Sequence, residues 1–130
     1  MNYINENQLK NDYEHLRVLN LFNDELSRKK IIGYEILIDD VARDIPEVPG
    51  YGSYVISVFG VEHTLPTGVF AVSKSDITAS GSVAPIVSQV GTGSWAGNAI
   101  IVTSSATSIQ IAHDRASTSA NFNITISGII

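Results

Sequence analysis

The chain contains no cysteine, so no disulfide framework holds it together. Its only histidines, His15, His63 and His113, are too scattered for a recognisable zinc pattern. No stretch reaches about 18 consecutive apolar residues, so no transmembrane helix is expected. The opening Met1-Asn2-Tyr3-Ile4-Asn5-Glu6 lacks the basic and apolar regions of a secretory signal, which fits synthesis in a cytoplasm. Excess positive charge is missing too. With a net charge of −5 and a pI near 4.9, the chain has no global field to gather nucleic acid or an anionic membrane, and neither is expected as a partner.

Charge of either sign is scarcest after residue 50. Residues 1–50 hold six of the eight basic and ten of the thirteen acidic side chains, leaving Lys74, Arg115, Glu62, Asp76 and Asp114 for the last eighty. Ser, Thr, Gly and β-branched apolar residues dominate those eighty, a composition suited to strands joined by small polar turns. A core of that size buries only roughly 60 to 65% of the surface its unfolded chain exposes. Without disulfides or a metal pattern, oligomerisation is the remaining support.

The sequence therefore divides into a helical arm over 1–45, a Pro/Gly connector over 46–52 and a β head over 53–130. Asn5 with Gln8 resembles a helix start. Leu9, Tyr13 and Leu16 recur at helical spacing, and Leu19, Phe22 and Leu26 repeat it on a rotated face, with Val18 and Leu21 widening the apolar surface. No strict heptad is kept, so different neighbours are expected to wrap the helix. Two readings stand: a helix packed on its own β head, or a docking helix inserted into another protein. Arg28-Lys29-Lys30 reads as the basic end of that helix. Tyr34 to Ile38 is ambiguous between strand and helix, and Asp39-Asp40 reads as the start of one more helical turn ending at Pro46. Pro46 and Pro49, near Gly50 and Gly52, favour an extended connector.

Six β-rich runs follow: Tyr54 to Val61, Gly68 to Ser73, Val83 to Val90, Ala99 to Thr103, Ser108 to His113 and Phe122 to Ile129. With no helical pattern between them, they predict a mainly β protein whose head is an antiparallel β-sandwich or jelly-roll-like barrel of about six to eight strands. Pro85 predicts an edge or a bulge in the third run. The last two runs alternate cleanly and are expected to pair as a hairpin through Asp114 to Asn121. The first run is apolar on both faces, so Tyr54, Ile56, Val58 and Phe59 are expected at a subunit interface.

No catalytic constellation emerges, and neither an enzyme nor a cofactor is expected. Gly91 to Gly97 is rich in glycine, but a strand follows it and the lysine of a phosphate-binding loop is missing, so a structural turn is expected. Ser94 lies in no nucleophile elbow. His113 and Asp114, as neighbours in a strand, point to opposite faces and do not form two thirds of a triad. Trp95, the only tryptophan, has two readings: it closes the sandwich or a subunit contact, or with Asn98 it forms a platform for a sugar ring.

The stretch Ser108-Ile109-Gln110-Ile111-Ala112-His113-Asp114, a small polar loop, and then Asn121-Phe122-Asn123-Ile124-Thr125-Ile126-Ser127-Gly128-Ile129 resembles the closing hairpin of bacteriophage fibre head domains. The likeness covers about the last thirty residues well and the rest of the β head only in composition. It implies a homotrimeric virion protein, with an N-terminal segment attached to a capsid or other virion protein and a displayed β head. The chain has no fibrous or collagen-like repeat and is short for a tail fibre, so a head fibre or capsid decoration protein is the expected type. The alternative is a host-adhesion module that binds a surface glycan.

Overall fold

In the computed structural model, which describes residues 12–21, 29–48 and 51–129, the chain forms a helix and a two-layer β-sandwich. Residues 12–21 are helical and are called α1. Eight strands follow: β1 (Lys29–Ile38), β2 (Arg43–Asp44), β3 (Gly52–Gly60), β4 (Thr67–Lys74), β5 (Ser82–Gln89), β6 (Ile100–Ser104), β7 (Ile109–His113) and β8 (Ala120–Ile129). One sheet has the order β1-β8-β3-β4-β5 and the other β2-β7-β6, and all the strand pairs are antiparallel.

Alternation of apolar and polar residues decides which face of each strand is covered. In β8, Phe122, Ile124 and Ile126 are buried while Asn121, Asn123, Thr125 and Ser127 point the other way. β8 therefore suits a central place, and it pairs along its length with β1 on one side and β3 on the other. Its buried face meets Ile100, Val102, Ile109 and Ile111 from the smaller sheet and Tyr54, Ile56, Val58, Phe70 and Val72 from its own, forming one core. Pro85 lies on edge strand β5, opposite a register shift at Val69/Phe70, as its missing N–H requires.

Several expectations are corrected. β1 lies inside the segment expected to be a helical arm over 1–45. Lys29 and Lys30 open a strand instead of closing a helix, because Ile32, Tyr34, Ile36 and Ile38 alternate along a face that continues the β8 core. Asp39 does not start a helical turn. Its Oδ1 accepts from the Val41 N–H at 3.0 Å, turning the chain into β2, whose Arg43 and Asp44 pair with Ile111 and Gln110. Residues 46–52 thus join β2 of the small sheet to β3 of the large one, and the head begins before them. The expected β7–β8 hairpin does not form either: the two strands lie in opposite sheets with their apolar faces across the core from each other. Finally, Tyr54, Ile56 and Val58 belong to the chain's own core and offer no subunit surface, while Phe59 on the outward face remains 44% exposed.

Candidate functional site

Trp95 sits at one end of the sandwich, and the surrounding glycines explain how it gets there. The segment Gly93–Trp95 makes a single 3-10 turn, with the Trp95 N–H donating to the Thr92 carbonyl at 2.9 Å. Gly93 takes a left-handed φ of 58°, which favours glycine. Gly91 is buried so tightly that a Cβ there would lie 2.6 Å from the Trp95 Cβ and 2.7 Å from the Thr64 carbonyl oxygen. The Thr92 N–H donates to that same carbonyl at 2.8 Å, which clips the loop to the β3–β4 connection. This glycine loop seats the Trp95 side chain.

The indole so placed is 5% exposed. Its ring centroid lies 4.8 Å from His113 and 6.4 Å from Phe122, both in T-shaped geometry. The Arg115 guanidinium lies over it, with Cζ 4.9 Å from the ring centroid, and reaches Ser94 Oγ at 3.4 Å. Trp95 therefore closes the sandwich, the first of its two readings, and its indole offers no exposed face for the alternative sugar platform with Asn98. Asn98 instead braces the loop: its Nδ2 donates to Asp114 Oδ1 at 3.1 Å, and its N–H donates to the Trp95 carbonyl at 3.0 Å.

His113 and Asp114 diverge as adjacent residues at a strand end should. His113 Nδ1 accepts from the Arg115 N–H at 3.1 Å, which puts the neutral ring's proton on Nε2, a buried atom with no hydrogen-bond partner. Asp114 Oδ1 instead accepts from the Ala99 N–H at 2.8 Å. That hydrogen bond, with Asn98 adding to it, holds the Asp114 carboxyl below the usual carboxylate range. The two side chains share no hydrogen bond, and Ser94 contacts Arg115 rather than the imidazole. The cluster is built for packing.

Beside it, Val61, Glu62, Leu65, Trp95, Thr118, Ser119, Ala120 and Asn121 line a small hollow of about 270 Å³. A broader, shallow trough of about 480 Å³ crosses the five-stranded sheet and is lined by small side chains that include Ser53, Ala71, Ser73, Ser82, Ala84 and Ser127. On β3, β4 and β8 the positions that alternate with the buried ones carry no ionisable side chain from Ser53 to Phe59, Thr67 to Ser73 or Asn121 to Ser127. Among the described residues, no three His, Asp or Glu side chains gather to hold a metal ion.

The other end of the sandwich holds a group that no pattern in the chain singles out. Lys74, at the end of β4, is 3% exposed, and its Nζ donates to the carbonyls of Ser105 and Ala106 at 2.9 and 3.1 Å. The Gly81 N–H adds a bond to Ser104 Oγ at 2.8 Å, so the β6–β7 turn is fastened to the large sheet from both ends of the β4–β5 connection. A lone lysine in a Ser/Thr-rich region carries no periodic signal of such a role.

Helix α1 presents the remaining surface. All ten of its residues are exposed, including Tyr13, Leu16, Val18, Leu19 and Leu21. Arg17 pairs with Glu14 at 3.1 Å one turn away, an exposed contact of little energetic weight. Of the docking residues expected from the sequence, Tyr13, Leu16 and Leu19 are thus presented to solvent, while Leu9, Phe22 and Leu26 lie outside the described residues. No protein-family model matches this chain, and no characterised protein or solved structure was found to resemble it.

Proposed function

We propose that the chain is a structural protein of a virus particle, a head fibre or auxiliary capsid protein of the bacteriophage type. α1 docks it on another virion protein, and the β-sandwich is displayed. The exposure of α1 carries this reading. Most helical stability comes from an apolar face packed on something. Half of the α1 residues are apolar, yet none is buried on the head. At 100° per residue, Tyr13, Leu16 and Leu19 share one side while Val18 and Leu21 lie on another. So wide an apolar surface suits a helix enclosed by more than one neighbour, as at a particle surface.

The nearly uncharged outward positions of β3, β4 and β8 support display in an assembly more than free diffusion, since a soluble monomer ordinarily relies on surface charge. Gradient sedimentation of lysate from cells that make the protein tests the reading. The intact chain is expected with large particles, and the Leu16→Glu/Leu19→Glu variant is expected at the top of the gradient with its head still folded. An intact chain found only at the top, or a double variant that stays with the particles, overturns it.

A further inference from the structure

The large sheet has two edges, and they are built differently. At β5, Pro85 supplies no N–H and the register shift at Val69/Phe70 disturbs the ladder, two features that discourage an added strand. β1 pairs with β8 over ten residues without a shift. Among the described residues, no backbone hydrogen bond reaches β1 from its other side. A long regular strand with a row of open N–H and C=O groups is a template for pairing.

Its side chains are also incompletely covered on both faces. Outward, Ile31 is 79% and Leu37 60% exposed. Inward, Ile32, Tyr34 and Ile36 are only half-buried, although the Tyr34 hydroxyl donates to the Pro46 carbonyl.

We propose that β1 pairs antiparallel with β1 of a second copy about a twofold axis at Tyr34, joining two five-stranded sheets edge to edge. The strand is self-complementary in this register. Ile31 comes opposite the partner's Leu37 on the outer face, Ile32 opposite the partner's Ile36 on the core face, and Tyr34 opposite the partner's Tyr34. Each apolar side chain left bare on one copy thus meets another. Opposed residues must lie on the same face, so the register shifts in steps of two. The neighbouring registers set Ile31 opposite Glu35 or Asp39 and lose that match. The contact stands on the sheet alone, independent of the virion reading. Its twofold symmetry differs from the threefold assembly that the fibre-head resemblance implies.

Because the chain has no cysteine, cross-linking reads the register directly. Directly opposed residues have Cβ atoms about 4.5–5.5 Å apart, close enough for a strained disulfide or a short bis-thiol linker. Full-length Ile31→Cys and Leu37→Cys chains, mixed and treated with such a linker, are expected to give a species of twice the chain mass that neither gives alone. No link in the mixture, or one formed as readily by either variant alone, overturns the proposal. Sedimentation of the unmodified chain at micromolar concentration checks the symmetry: a dimer is expected, weakened at least about tenfold by Leu37→Lys. A mass of one chain or of three overturns the twofold pairing.

Discussion

Trp95 shows how one residue serves the fold through its neighbours. It touches His113 and Phe122, lies under Arg115, and is reached through a turn that Gly91 alone is small enough to make. Trp95→Ala leaves a cavity between the two sheets, and a buried aromatic truncated in this way costs about 3–5 kcal/mol. Urea unfolding followed by circular dichroism measures that loss. A surface platform of the kind the sequence also allowed would cost within about 0.5 kcal/mol, so the two roles separate by a wide margin. His113 follows the same logic, since its one bonded nitrogen accepts from the chain two residues on and its other nitrogen is buried unpartnered. An imidazole so placed packs the end of the sandwich.

Elements are tied together by groups whose pattern is not periodic. Lys74 links β4 to the turn between β6 and β7, and so couples the two sheets at the end opposite Trp95. Lys74→Met keeps the aliphatic stem but leaves the Ser105 and Ala106 carbonyls without their donor. Charge-assisted hydrogen bonds contribute about 1.5–3 kcal/mol each, and relief from burying the ammonium offsets part of that, so a net loss of about 1–3 kcal/mol is expected in thermal unfolding. An unchanged or raised melting temperature would show that the turn holds without the clamp. The strands themselves are far more legible in the sequence. All six β-rich runs after residue 53 form strands, because alternation over five or more residues reports a half-covered sheet whatever its partner. The partner is what alternation leaves out. Ile109, Ile111 and His113 face Phe122, Ile124 and Ile126 across the core, and the same pattern would serve two strands side by side. β1 is obscured for a different reason. Its basic start, Lys29-Lys30, looks like a helix terminus, and Glu35 on its outward face interrupts an otherwise apolar run. The site is least legible: the sequence points to Trp95 and His113 but does not separate packing from chemistry, and the edge position of β1 among the described residues is invisible until strand pairing is known.

At the scale of the whole molecule, the boundary between arm and head moves from residues 46–52 to before Lys29, and truncation distinguishes the two positions. A chain beginning at Lys29 keeps β1 and β2 and is expected to fold as a complete sandwich while losing α1 and with it the proposed docking. A chain beginning at Gly52 loses Ile38 and Ile45, both core residues, which forfeits roughly 3–6 kcal/mol of apolar burial. Total stability is typically about 5–15 kcal/mol, so this is a large share. The loss of β1 also bares the whole edge of β8, with ten backbone positions deprived of their partners. The shorter chain is therefore expected to aggregate or to lose its cooperative thermal transition and its near-ultraviolet dichroism, while the longer one keeps both. Equal cooperativity and equal solubility in the two chains would restore the boundary to residues 46–52 and reduce β1 to an accessory strand on a self-sufficient head.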